Sequence, residues 1–123
     1  MINIIFDTDP GVDDAFALLY ALSHPNINVL GITTVFGNVP VETSTKNALI
    51  LSDMAGKGTL VYQGASKPLK REVRSYPSFI HGHDGLGDTN HPQPKFNASK
   101  LDAVQFIING INQNSGNINL VAV

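Results

Sequence analysis

The chain has 123 residues, of which 42% are hydrophobic and 15% charged, and its formal net charge is −2. This balance describes an ordinary globular chain of at most one domain and provides no basic field for nucleic acid or anionic lipid. Cysteine is absent, which removes disulfides, thiolate zinc sites and thiol catalysis. With no signal-peptide core and no apolar run near the ~20 residues of a membrane span, a cytoplasmic location is expected.

Ile2 to Phe6 is a short, β-branched run suited to a buried parallel strand. An acidic turn follows, and from Asp13 to about Leu22 the residues Ala15, Leu18, Leu19 and Leu22 recur at helical spacing. Asp13 or Asp14 is a candidate N-cap, and carboxylates in a first turn suit the helix dipole. "INVLGITTV" (27 to 35) reads as the second strand, and Pro40 as a first-turn residue of a helix running to about Ala55. Gly56-Lys57-Gly58 closes that helix, and "TLVYQG" (59 to 64) is a third, short strand.

Residues 65 to 98 break this rhythm: the stretch is polar, rich in proline and too long for an ordinary connection, as functional loops often are. Ser99 and Asp102 resemble a capping box before a third helix, "DAVQFIINGIN", and "INLVAV" (118 to 123) is a fourth strand. Alternating strands and helices predict an α/β fold, an open parallel sheet in three α/β/α layers. A strand such as 118 to 123 expects neighbours on both sides, so the chain reads as the first part of a larger fold.

The sharpest local feature is "FDTDPGVDDA" (6 to 15), with Asp7, Asp9, Asp13 and Asp14 in one turn. A Pro-Gly turn and a helix cap account for two of the four. Two carboxylates about 5 Å apart at an effective dielectric near 20 repel by roughly 3 kcal/mol, so the cluster calls for a counter-charge or a proton. A hard cation such as calcium or magnesium meets that need. An EF-hand counted from Asp7 would require Gly at Val12 and Glu at Leu18, and the Gly-Lys-Ser/Thr of a P-loop is missing. The strand-end "DTD" is also similar to the haloacid-dehalogenase phosphatases, which would use Asp7 and Asp9 with magnesium, although those enzymes do not call for the Pro-Gly-x-Asp-Asp that follows.

The whole stretch "DTDPGVDDA" resembles the N-terminal signature of the nucleoside hydrolases, the inosine-uridine-preferring N-glycosidases. "VFGN" (35 to 38) with "VETSTKNAL" (41 to 49), "IHGHDGLGD" (80 to 88) and "INLVAV" are similar to later family stretches in the same order. The resemblance implies hydrolysis of a ribonucleoside to ribose and base by a calcium-activated water. It implies Asp9 and Asp14 as calcium ligands and Asp9 as general base. Asp13 and Asn38 would hold ribose hydroxyls, and His81 would lie near the base of the substrate. Asp7 is either a distant ligand or, as favoured here, an acceptor that fixes the loop. A zinc site from His81, His83, His91, Asp84 and Asp88 is disfavoured by the missing cysteines and the Gly-rich spacing. His24 is assigned to a helix end and His91 to plain loop.

Family members are well over twice this length and commonly homo-oligomeric. Residues 1 to 123 would form the N-terminal part of a single domain. A Gly-Pro-x-Thr-Asn turn, whose Thr carbonyl completes the calcium shell, a late Asp ligand and the leaving-group histidine would lie beyond Val123. The chain alone is therefore expected to bind calcium weakly, to be inactive and to leave strand 118 to 123 as an unpaired edge. A non-catalytic ribose- or calcium-binding remnant that needs a partner chain is the alternative.

Overall fold

The computed structural model describes residues 1–123. In chain order the elements are β1 (Ile2–Thr8), α1 (Val12–Ser23), β2 (Ile27–Thr34), α2 (Val41–Met54), β3 (Val61–Gln63), the single turn α3 (Ser78–His81), α4 (Ala103–Gln113) and β4 (Asn119–Ala122). All strand pairs are parallel, and the order across the sheet is β3-β2-β1-β4. The chain therefore moves outward from β1 in one direction and returns to its other side through α4. That reversal makes the carboxyl end of β1 a topological switch point, where open α/β sheets gather their ligands.

Alternation along the strands divides the two faces. Ile4, Phe6, Ile32 and Val61 meet Ala15, Leu18, Ala21 and Leu22 of α1 and Ala48 and Leu51 of α2 in the main core. Ile5 faces α4 instead. That helix comes close to the sheet because two glycines leave room: a Cβ on Gly31 would fall within 2.5 Å of the Phe106 ring, and one on Gly110 would lie 3.2 Å from Ile5 Cδ1. Phe106 then stacks on Tyr62 with ring centroids 3.8 Å apart. The outer side of β4 is unpaired, as the sequence predicts, with Leu120 and Val123 about half exposed.

Three local expectations need correction. The N-cap of α1 is Gly11; Asp14, at the third helical position, instead turns back so that Oδ2 accepts from the Gly11 amide at 3.1 Å. Pro40 is the cap of α2 and not a residue of its first turn. Asp102 caps α4 by itself, accepting from the Val104 and Gln105 amides, while Ser99 is drawn away to bridge Tyr62 at the edge of β3. In each case a tertiary contact or a closer acceptor outcompetes the sequence pattern.

Part of the long connection is firmly built. Leu86 enters the main core. Asp84 Oδ1 accepts from the Leu86 and Asp88 amides, and Asp88 Oδ1 accepts from the His83 and Asp84 amides, all within 3.1 Å. The Asp84 amide in particular holds the Asp88 carboxyl below the usual aspartate range. From α2, the buried Asn47 donates to the carbonyls of Asp84 at 2.7 Å and Pro10 at 3.2 Å, joining this loop to the β1–α1 turn. Asn47→Ala removes both bonds and leaves two carbonyls short of a donor. An expected loss of about 1–3 kcal/mol in urea unfolding, with faster amide exchange at Gly85 and Leu86, checks this clamp.

Candidate active site

Four segments meet above the carboxyl ends of β1 and β2. Asp9 follows β1, Asp13 and Asp14 open α1, Asn38 lies in the turn before α2, and His81 ends α3. Their convergence follows from the register, which sets Asp7 beside Thr33 and Thr8 beside Thr34 so that both strands end level. The Val35 amide continues the ladder to the Thr8 carbonyl at 3.2 Å. The two turns therefore start side by side.

Asn38 joins them. Its backbone amide donates to Asp9 Oδ2 at 2.6 Å, and its Nδ2 donates to the Asp9 carbonyl at 3.1 Å and to Asp14 Oδ2 at 2.9 Å. One residue thus bonds both carboxylates, Asp9 through its backbone amide and Asp14 through its side chain. Two glycines permit the approach: a Cβ on Gly37 would collide with the Asp9 carboxylate, and one on Gly11 would fall 2.6 Å from His81 Nδ1 and 2.8 Å from Asn38 Nδ2.

His81 is buried, and its Nδ1 accepts from the Val12 amide at 3.1 Å, satisfying an otherwise orphan donor at the start of α1. An accepting Nδ1 leaves the ring proton on Nε2. The exposed Asp13 carboxylate stands 3.9 Å from the same Nδ1. Asp7 is set apart: its Oδ1 accepts from the Thr33 hydroxyl at 2.5 Å, and its carbonyl accepts from the Val123 amide. Those contacts fix the strand end. They also engage the carboxylate that a phosphatase-type mechanism would need as its nucleophile.

The electrostatics are one-sided. Burial pushes the Asp9 carboxyl above the usual aspartate range against the opposing pull of the Asn38 amide, and the charges of Asp14 and Asp13 raise it further. No lysine or arginine pairs with these carboxylates. Oxygen donors, burial and mutual repulsion together suit a hard divalent cation. No three His, Asp or Glu side chains converge as a complete ligand set, so Asp9 and Asp14 could supply at most part of one. His83 and His91 lie in the loop that pairs with Asp88 and Thr89.

Two cavities border the elements that carry the site, and neither is lined by Asp9, Asp13 or Asp14. One of about 410 Å³ lies between α2 and the 83–93 loop, and another of about 400 Å³ is lined by Phe36, Gly37 and residues of the 68–76 segment. Sequence reasoning missed Asn47 and Thr33. The signal for Asn47 was available: it shares the buried stripe of α2 with Ser44, Ala48 and Leu51, and a polar residue on such a stripe requires partners.

No helix is long and apolar enough to cross a membrane. The profile of the family described as "Inosine-uridine preferring nucleoside hydrolase" matches residues 4–123. The chain is 40% identical over 122 residues to uridine nucleosidase 1 of Arabidopsis thaliana, covering 98% of this chain and 36% of that protein. It is 48% identical over 110 residues to the inosine-uridine preferring nucleoside hydrolase of Leishmania major, covering 86% and 34% respectively. The solved structure of a purine-preferring ribonucleoside hydrolase from Gardnerella vaginalis superposes with a TM-score of 0.93 at 34% identity, over 98% of this chain and 40% of that one. The chain spans little more than a third of the length of the curated relatives it matches. With an α/β fold, a matching profile and the two-turn acidic site in agreement, the chain belongs to the inosine-uridine preferring nucleoside hydrolase family.

Proposed function

We propose that this chain carries the water-activating half of a calcium-dependent ribonucleoside hydrolase, which splits the N-glycosidic bond to give ribose and free base. One observation supports this above the others: Asp9 is half-buried, is aimed by the Asn38 amide, and has an affinity for protons raised by burial and by Asp14. A carboxylate of that kind is a stronger general base than an exposed aspartate. When bound, calcium would balance the Asp9 and Asp14 charges, polarise a water and orient ribose hydroxyls.

The chain's own residues have distinct tasks in this reading. Asp9 removes the proton from the attacking water. Asn38 keeps Asp9 and Asp14 at a fixed separation through its shared Nδ2. Asp13, exposed and free of a short hydrogen bond, is available to a ribose hydroxyl, and holding the sugar lowers the cost of reaching an oxocarbenium-like state. His81 sets the entry of α1 through Val12 and presents its Nε2 proton to a ligand. Asp7 braces the strand end against Thr33.

Joining residues 1–123 to the remaining sequence of the Leishmania major relative gives a direct assay. The chimera is expected to release ribose from inosine or uridine, and Asp9→Asn in it to lower kcat by about 100-fold or more. A chimera that folds and binds calcium yet leaves both nucleosides intact would sink the proposal. Calcium takes 6–8 oxygens, far more than two carboxylates provide. The 123-residue chain alone is thus expected to bind calcium only weakly and to show no turnover, which calorimetry and a reducing-sugar assay would check.

Stability carries a second signature. A folded-state pKa raised above the unfolded value contributes stability that is fully present below the unfolded pKa. That stability is lost as pH rises through the folded pKa. In chelator, Asp9 therefore weakens the fold at neutral pH, and Asp9→Asn should melt at a higher temperature than the parent at pH 7. The gap should close as the pH falls below the ordinary aspartate range. A variant that melts lower at pH 7 would show that the Asp9 charge is compensated.

A further inference from the structure

The proton on His81 Nε2 depends on a single contact at the other ring nitrogen. Nδ1 accepts from the Val12 amide at 3.1 Å, whereas the Asp13 carboxylate, 3.9 Å from the same Nδ1, favours the opposite tautomer, in which Nδ1 carries the proton and donates. The Val12 amide prevails because it opens α1, where an unpaired donor and the helix dipole both call for an acceptor. A displacement of the ring by about 1 Å would break that bond. The tautomer of His81 is therefore set by whatever holds its backbone in place.

The residues just before it give little support: Ser78, Phe79 and Ile80 are exposed, and the backbone bonds of α3 are local. Support comes from downstream, where the Gly87 amide donates to the His81 carbonyl at 2.8 Å and Leu86 enters the main core. Apolar packing of Leu86 supplies cohesion without direction. Asn47 supplies the direction, because its Nδ2 donates to the Asp84 carbonyl at 2.7 Å and to the Pro10 carbonyl at 3.2 Å. Asp84 is three residues after His81, and Pro10 is two before Val12. One buried amide thus draws together the same two segments that the His81–Val12 bond joins. Gly85 permits the contact: its φ is +79°, and a Cβ there would lie 2.9 Å from Asn47 Nδ2 and 3.0 Å from the Pro10 carbonyl oxygen.

We propose that Asn47 is a positioning residue that, by holding Asp84 and Pro10 on one amide, keeps His81 against Val12 and so fixes the ring in the tautomer whose Nε2 proton is available to a bound ligand. The use of that proton on a nucleoside rests on the reading above; the control of the tautomer stands on the contacts alone.

Nitrogen-15 spectra of the histidine rings in the 123-residue chain, at about pH 8 where an ordinary imidazole is neutral, test this, with His81 assigned by the signal lost in His81→Gln. The parent is expected to show a bare Nδ1 and a protonated Nε2, and Asn47→Ala a mixture of both tautomers. Asn47→Ser keeps one donor and is expected to give a smaller shift, which also serves should the alanine variant not fold. Asn28→Ala, which loses a 2.9 Å side-chain bond to Asn3 near the opposite ends of β1 and β2, is expected to leave the His81 ring as in the parent. In the chimera, Asn47→Ala and His81→Ala are each expected to lower kcat/KM by about tenfold, and the double variant by well short of a hundredfold, because both cut the same link. A parent-like His81 ring in the Asn47 variants, an equal change in Asn28→Ala, or losses that multiply would overturn the proposal. A chimera that hydrolyses no nucleoside would instead defeat the nucleosidase reading, and the ring spectra would still decide the role of Asn47.

Discussion

The site depends on one bridge, that of Asn38 across Asp9 and Asp14. Two carboxylates at either end of one turn repel each other, and the protein holds them together by giving both a donor from the same neighbouring residue. The bridge works only if the β1 and β2 turns start level, which the in-step parallel pairing of Thr8 with Thr34 ensures. It also needs glycine at 11 and 37, where any side chain would occupy the space of His81, Asn38 or Asp9. Strand register, glycine placement and the two amides of Asn38 together determine where the acid groups sit.

Around this bridge the protein uses buried polar groups as struts. Thr33 holds Asp7, Thr34 bonds Thr45 at 2.8 Å, and Thr45 passes a bond to the Val41 carbonyl at the start of α2. Asn47 continues from α2 to Pro10 and Asp84. A connected series of short polar contacts thus runs from the strand ends through the first turns of α2 to the 81–88 loop. Apolar packing on the α1 and α2 face supplies the cohesion, while these struts fix directions, which hydrophobic contacts do poorly. Thr8 Oγ1 and Ser44 Oγ are buried without a partner, so the polar layer at the strand ends is not fully satisfied.

Much of this was legible in the sequence because it is local. Strands β1 and β2 and helices α1, α2 and α4 follow from apolar periodicity, and the acidic turn stands out because a cap and a turn cannot use four aspartates. The resemblance of "IHGHDGLGD" to a known family implies His81 near the base of a substrate, and the fold sets its ring 3.9 Å from Asp13. What escaped is what depends on distance in space. Asp14 serves Gly11 and Asn38 where a simple N-cap was expected, and Ser99 leaves its helix for Tyr62. Asn47 looks like one more polar helix residue until two loops are found over it. The turn at Ser78–His81 is too short for periodicity to register.

The long connection after β3 divides into two parts with opposite physics. From Gly82 to Asp88 it is tied by reciprocal aspartate–amide bonds and pinned by Leu86. From Lys67 to Arg74 it is exposed and positive, with Leu69 fully in solvent. The first part positions His81 against α1, and the second sets a positive lip beside a negative centre.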